Sequence, residues 1–589
     1  MIKNLKYLRK KDWITLIFVV ALILLQVQLD LTIPEYMSKI TMLVQTPGSK
    51  VSQITSTGGK MLLISLGSVA SSVIVGYLAA KLAASLGREL RFAIFNKVQD
   101  FSMEEINRFS TPSLITRSTN DIAQVQLFIA VGLQVLIKSP ILAIVAIDKI
   151  AGKSWQWSAL VGGGIIFLLV VILLIVFIAI PKFKKVQELT DDINRITRES
   201  LTGIKVVRAY NAEDYQEEKF EKASANLAQN NLFATRVLSF LQPSLNFAMS
   251  SISLGIYWLG AIIINNAAAE NQLTIFSDMV VFSSYALQII AAFMLMSILF
   301  MLLPRASVSA KRVNEVLYTK PTILDGAITD ENLETKGKIQ VKNVSFRYPE
   351  AEEYVLKDIS FTAEPGETVA FIGSTGSGKS TLINLIPRFY DVSEGEILID
   401  NVNVKDYNME ALNNKIGYVP QRAVLFSGSI SSNVNFGNNG KDEISNSDIY
   451  TALEVAQGKE FVEKLPDGID SFVAQLGTNL SGGQKQRVSI ARAVARNPEI
   501  LIFDDSFSAL DYKTDSLVRQ GLKKHTSGTT TLIVAQRVGT IMDADKIIVL
   551  NEGKVAGIGT HKELLKSCNI YYEIAKSQLT EEELDIETR

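Results

Sequence analysis

Residues 154–181 (SWQWSALVGGGIIFLLVVILLIVFIAIP) carry no charged side chain. As a helix rising about 1.5 Å per residue, this run is long enough to cross a hydrocarbon core of ~30 Å. Residues 237–269 and 279–303 are equally free of charge, and 13–29 and 61–80 form two shorter runs. A sixth run, 122–147, is interrupted by Lys138 and Pro140. Six membrane helices are expected, at about 13–34, 58–83, 122–148, 154–181, 237–265 and 278–304, in an all-α transmembrane domain over 1–320. Charged residues still make up 20% of the chain, so the apolar excess is concentrated in these runs. Lys+Arg (59) and Asp+Glu (60) nearly cancel, which leaves no basic footprint for nucleic acid. One cysteine, Cys568, excludes an internal disulfide and a cysteine-based metal cluster. Two histidines, His525 and His561, exclude His-rich metal catalysis.

Lys3, Lys6, Arg9, Lys10 and Lys11 precede the apolar run that starts at Trp13, and no small-residue cleavage site follows it. This reads as an uncleaved first helix with a cytoplasmic N-terminus, by the positive-inside rule. Six spans return the chain to the cytoplasm, with outer loops near 41–59, 149–153 and 266–277. Lys149 and Lys153 in the second of these run against the charge rule. The inner connections, 84–121 and 182–236, are charged at helical spacing and adjoin the apolar spans without Gly/Pro breaks, so the helices are expected to continue beyond the bilayer. After Pro321 the texture changes to short strand-like runs (ETVAFIG, EILIFDD, TTLIVA, KIIVL) alternating with helical patterns. An α/β domain with a largely parallel sheet is expected over 335–580, followed by an acidic tail at 581–589.

The chemistry lies in this second half. Gly373, Ser374, Thr375, Gly376, Ser377, Gly378, Lys379, Ser380 and Thr381 fit the phosphate-loop pattern G-x-x-x-x-G-K-[ST], between a strand and a helical run. Its glycines let backbone N–H groups close around phosphates, and the helix start adds its positive dipole end. Lys379 is expected at the β/γ-phosphates of ATP and Ser380 on Mg²⁺. The apolar strand ILIFD ends in Asp504, expected to hold Mg²⁺ directly or through water, and Asp505 follows. Upstream, Leu480, Ser481, Gly482, Gly483 and Gln484 form LSGGQ, whose hydroxyl and glycine amides make a compact anion site at a helix start.

With these motifs in hand, the chain resembles a half-transporter of the ATP-binding cassette (ABC) exporter type over essentially its whole length. The resemblance implies six membrane helices of the type IV exporter arrangement fused to one nucleotide-binding domain. It implies that Tyr348 in VSFRY stacks on adenine and that Gln421 in GYVPQ contacts Mg²⁺ and faces the transmembrane domain. It implies that Ser508, Ala509, Leu510 and Asp511 lie at a dimer interface where each ATP sits between one chain's phosphate loop and the other's LSGGQ. Coupling elements are expected at Thr111–Asp121 and about Ala209–Tyr215, the second docking on the partner's cassette.

Two positions depart from the family pattern. Asp505 stands where the family places a catalytic glutamate, and Gln536 where it places a switch histidine. A carboxylate withdrawn by one methylene is displaced by about 1 Å, which can cost on the order of 10²-fold, and glutamine cannot take up a proton as imidazole does. The pattern resembles the degenerate-site subunit of a bacterial heterodimeric exporter. That implies a partner half-transporter with a competent site, residence in the cytoplasmic membrane with the nucleotide-binding domain inside, and small amphipathic cargo such as drugs. A lipid or peptide exporter and a non-pumping channel or regulatory subunit are the alternatives. A soluble cassette ATPase conflicts with the six spans, and a peptide-processing protease domain ahead of the first helix is not expected. Phe293, Met294, Met296 and Phe300 are candidates for an adaptable apolar cavity, with lipid-facing or packing roles as the alternative. Lys138 is a candidate functional charge inside a span, with snorkelling as the alternative.

Overall fold

The computed structural model describes the chain except residues 1, 47, 152–154, 330–335, 350, 438–443, 581–583 and 585–589, and the side chains of 2, 269, 297, 300 and 301. The acidic tail apart from Leu584, Lys153 and the Phe300 side chain therefore lie outside the described residues. The chain divides into two compact units, one of Met1–Gln99 with Pro112–Thr319, the other of Asp100–Thr111 with Lys320–Arg589.

Among its described residues the first unit holds six helices long and apolar enough to cross a membrane. They are α1 (Lys10–Gln45) and α2 (Val51–Gln99) and then, after a short helix α3 (Met103–Phe109) that belongs to the second unit, α4 (Thr111–Ala151), α5 (Trp155–Thr202), α6 (Glu213–Asn265) and α7 (Ala269–Tyr318). At 48 residues, α5 is about 72 Å long, more than twice a hydrocarbon core. The polar connections are thus continuations of the spans. Helix α4 is not uniform: π-type turns at Arg117–Asp121 and Phe128–Gly132 interrupt it. Large apolar side chains such as Ile14, Leu173 and Phe177 face outward, Phe177 with 81% exposure, which suits a lipid solvent. The unit's own core gathers Leu31, Ala146, Trp157, Ile256, Phe282 and Tyr285, with Phe293 packed against it. Met294 remains exposed. The charge rule violated by Lys149 is eased locally, because its Nζ meets Glu35 Oε1 of α1 at 2.8 Å. At the chain start Arg9 pairs with Glu89 of α2, and the buried Asp12 accepts from Ser85 at 2.8 Å.

The second unit is built on two sheets. Strands β1 (Ile339–Phe346), β2 (Leu356–Ala363), β3 (Thr368–Gly373), β4 (Glu394–Ile399), β5 (Val402–Asn403), β6 (Ile416–Val419), a small ribbon of β7 (Gly428–Ser429) and β8 (Phe472–Val473), β9 (Ile500–Asp504), β10 (Thr530–Val534), β11 (Lys546–Asn551) and β12 (Lys554–Gly559) follow in order. The antiparallel sheet runs β2-β1-β4-β5, and the main sheet β12-β11-β3-β10-β9-β6. In the main sheet β11, β3, β10, β9 and β6 are parallel. ILIFD and TTLIV are buried at every position, as strands covered on both faces must be. Register sets Val534 opposite both Phe371 and Asp504. The carboxyl ends of β3, β9 and β10 therefore open side by side, where ligands of parallel α/β sheets bind.

One expected element moves. From Pro112 on, the expected Thr111–Asp121 segment belongs to the membrane unit as the start of α4, whereas the piece grouped with the α/β unit is Asp100–Thr111. Ser102 caps α3 in a reciprocal box with Glu105, and Ser110, at φ +62°, ends it. The α3 segment is fastened within its unit by Glu105, which accepts from the Thr322 N–H at 3.1 Å, and by Asn107, which donates to the Tyr390 hydroxyl at 2.8 Å. The second inner connection does turn at Tyr210–Ala212, between short helix Ile204–Ala209 and Glu213.

Candidate functional site

The loop after β3 runs from Gly373 into helix α8 (Lys379–Leu385). Gly378 sits at φ +95°, where a Cβ would strike Leu356 Cδ2 at 2.6 Å. Gly376 sits at φ +83° with nothing within 4 Å of a Cβ position, so the crest of the loop is an open backbone cradle. Lys379 Nζ folds back across it, donating to the carbonyls of Gly373 and Ser374 at 2.8 Å each. Burial lowers the Lys379 pKa, with the charges of Asp505 and Asp504 acting against it.

Ser380 Oγ donates to Asp504 Oδ1 at 2.7 Å, joining the start of α8 to the end of β9. Burial raises the Asp504 pKa, and the neighbouring Asp505 charge adds to it, while the Ser380 bond and Lys379 oppose it. A hydroxyl and a buried carboxylate in contact form an oxygen donor set of the kind a hard divalent cation takes. Gln421, just past β6, donates Nε2 to Asp505 Oδ2 at 3.1 Å, which leaves its amide oxygen as a further donor to a cation.

Asp505 is buried at φ +47°, a left-handed conformation that aspartate accepts more readily than most residues. Its Oδ2 accepts a second amide hydrogen bond, from Gln536 Nε2 at 2.6 Å. Gln536, two residues past β10, is itself held by Gln578, whose Nε2 donates to its carbonyl at 2.9 Å. The two positions that depart from the family pattern thus bond directly to each other. Motif spacing does not contain that pairing, because it depends on β9 and β10 being adjacent.

Tyr348 is half-buried, stands edge-on to Phe346 and Tyr390, and shares a hydrogen bond of 3.0 Å with Thr381. A cavity of about 550 Å³ beside it is lined by Phe346, Arg347, Tyr348, Tyr390 and Glu104 among others. Ser481 caps helix α9 (Gly482–Ala495), and its box with Gln484 is reciprocal, at 3.3 and 2.9 Å. Ser481 and Gly482 are exposed, and a Cβ on Gly483 would make only an ordinary contact with the Ala509 carbonyl, at 3.6 Å. Among the described residues, no hydrogen bond or ion pair joins this turn to the phosphate loop. The Ser508–Asp511 segment begins three residues after Asp505. Ser508 Oγ donates to the Asp505 carbonyl at 2.8 Å, Leu510 is buried, Ala509 is exposed, and Asp511 caps helix α10 (Tyr512–His525). His561 is buried against the Tyr571 hydroxyl at 2.6 Å, and Cys568 is buried in the core, so both are structural.

Residues 356–508 match the family model described as ABC transporter, and residues 16–293 the model of the ABC transporter transmembrane region. An uncharacterized ABC transporter ATP-binding protein of Mycobacterium tuberculosis is 38% identical over 88% of this chain and 87% of its own length. The chain belongs to the ABC transporter family. It is a half-transporter of the exporter type, with membrane and ATP-binding domains fused, and hence a multi-pass membrane protein that binds ATP for transport. The uncharacterized ABC transporter ATP-binding protein YfiB of Bacillus subtilis is 37% identical over 89% of this chain and 90% of that one. An ATP-dependent lipid A-core flippase of Pseudomonas fluorescens is 32% identical over 87% and 83%. The solved structure of a bacterial Atm1-family ABC exporter with ATP bound superposes with a TM-score of 0.80 at 23% identity, covering 96% of this chain and 99% of that one. The expected architecture, six apolar helices and then an α/β cassette in the type IV exporter fold, is the observed one.

Proposed function

We propose that this chain is one half of a heterodimeric exporter that moves small amphipathic molecules out across the cytoplasmic membrane by alternating access. Its own phosphate-loop site binds ATP and hydrolyses it poorly, and its signature turn completes the competent site of a partner chain. The observation that carries this reading is the state of Asp505. A glutamate one methylene longer is absent, and the Oδ2 that would orient a water already accepts from both Gln421 and Gln536. No imidazole stands at position 536 to move a proton.

In this reading Gly373–Thr381 wraps the phosphates with backbone N–H groups, and Lys379 leaves the loop carbonyls for the β/γ-phosphates. Tyr348 offers its ring to adenine. Ser380, Gln421 and Asp504 would hold Mg²⁺, which supplies charge neutralisation at the phosphates when bound. Ser481–Gln484 faces the γ-phosphate on the partner's loop, with Ser508–Asp511 along the interface. The N-terminus and both cassettes are cytoplasmic.

The test is steady-state ATPase of the purified chain alone and after co-expression with a half-transporter that has glutamate and histidine at the two positions. Low activity alone and restored activity together is the expected result. A homodimer turning over several ATP per second would overturn the reading. A second reading, lipid translocation on the same scaffold, is favoured by the activity of the flippase relatives, named for lipid A-core. Vesicle assays with fluorescent drugs and with labelled lipids separate the two.

A further inference from the structure

The membrane unit holds an ionic assembly that the ATP machinery does not use. Lys138 Nζ of α4 lies 3.1 Å from Asp30 Oδ2 of α1, with the side chains 23% and 25% exposed. Ser68 of α2 donates to the other oxygen of Asp30. Pro34 follows Asp30 by four residues and has no N–H, so the Asp30 carbonyl cannot receive its helical donor. Gln288 of α7 fills that gap, its Nε2 donating to the carbonyl at 3.3 Å. Among the described residues, the other end of that amide, Oε1, is buried without a hydrogen-bond partner, as is the hydroxyl of Ser139 beside Lys138. Asp30, Ser68, Lys138 and Gln288 fall inside the expected spans 13–34, 58–83, 122–148 and 278–304. The assembly is therefore set within the spans, where four helices converge.

An ion pair in such a place gives little stability. Removing one partner is destabilising, but replacing both by apolar groups is often neutral or better. Ionisable groups inside spans mark ligand paths. The pair is net neutral, so a ligand with one charge would leave another uncompensated in a medium of low dielectric. A ligand carrying both signs exchanges with both partners and preserves neutrality. The unmet acceptor, Gln288 Oε1, selects the type of cation, because it needs an N–H donor that a quaternary ammonium lacks.

We propose that Asp30, Lys138 and Gln288 form a subsite for a zwitterionic head group in which an N–H-bearing ammonium accompanies a phosphate or carboxylate, on an amphiphile. The ammonium faces Asp30 and Gln288 Oε1, and the oxyanion faces Lys138. The proposal rests on the reading of the chain as an exporter of amphipathic molecules and names the class of cargo.

The test is equilibrium dialysis of labelled decylphosphoethanolamine against the full chain in dodecyl maltoside, without ATP. Saturable binding is expected, at least tenfold tighter than for decylphosphocholine, decyl sulfate or decylammonium. Lys138→Gln and Asp30→Asn are each expected to weaken it tenfold or more. Gln288→Leu leaves the ion pair in place, which guards against misfolding, and should narrow the preference over decylphosphocholine to less than threefold. Displacement by lysophosphatidylethanolamine assigns the head group to a lipid, displacement by Nα-decanoyl-lysine alone to a water-soluble cargo, and displacement by both to the shared chemistry. Displacement by neither, equal binding of all four head groups, or unchanged binding in Lys138→Gln and Gln288→Leu overturns the proposal. Because no ATP turnover is read, failure here leaves the co-expression ATPase result standing, and the reverse holds too.

Discussion

At the phosphate loop the polar groups are engaged within the chain. Lys379 is tied to two loop carbonyls, Ser380 to Asp504, and Asp505 to Gln421 and Gln536. At the signature turn, among the described residues, the side chains of Ser481 and Gln484 bond only across their own cap, and Ser481 and Gly482 are open to solvent. One surface is closed on itself around a carboxylate, Asp505, whose Oδ2 already accepts from two amides. The other is bare, which suits the proposed completion of a partner's site. If the contrast is functional, damage to the bare surface harms turnover more than damage to the closed one.

The largest effect should come from Gly483→Asp. A Cβ there meets nothing closer than 3.6 Å and the backbone is not left-handed, so the cassette accommodates the side chain. What changes is charge: a carboxylate facing a phosphate repels by several kcal/mol when desolvated. ATPase of the assembled transporter should fall at least 100-fold with unchanged expression and melting temperature. A residual rate above a third of the parent's would mean that Ser481–Gln484 does not serve the competent site.

A smaller effect, in the opposite direction, is expected from Asp505→Glu with Gln536→His. The longer carboxylate regains about 1 Å of reach, and the imidazole can exchange a proton. ATPase of the chain alone should rise severalfold. Glutamate is less at ease than aspartate at φ +47°, with a penalty of about 1 kcal/mol. For a domain of this size that lowers the melting temperature by about 2–4 °C. A rise in melting temperature without any gain in turnover would show that reach and proton exchange are not what the site lacks.

How far these features are legible in sequence depends on how local they are. The phosphate loop and LSGGQ are contiguous, so their residue types and spacing already state the local geometry. The six spans are legible because each satisfies its own backbone. Helix α3 was within reach, since Ser102 and Glu105 have capping-box spacing, but the charged helical texture around it hid the break at Ser110. The π-type turns of α4 leave no periodic signal. Asp30 simply ends the charge-free run 13–29, and nothing local says that its partner is Lys138, more than a hundred residues on. The Gln421–Asp505–Gln536 contact needs the strand order β10-β9-β6, which no single segment carries.

The smallest effect is expected from Asp505→Asn, and it is the sharpest test of the contrast. Asparagine is nearly isosteric and, like aspartate, tolerates the left-handed backbone at φ +47°. Its single carbonyl oxygen has two lone pairs, enough to accept from both Gln421 Nε2 and Gln536 Nε2, as Oδ2 does now. The geometry should therefore persist while one negative charge disappears. That loss relieves part of the upward pressure on the Asp504 pKa and removes one group that opposes the burial effect on Lys379. In the proposed heterodimer both changes act on ATP binding at the closed site and neither on turnover at the partner's site. ATPase of the assembled transporter should change less than threefold, against the hundredfold loss in Gly483→Asp measured in the same preparation. Were Asp505→Asn the more damaging of the two, Asp505 would be a main catalyst despite its shorter reach, and the closed site would be the working one.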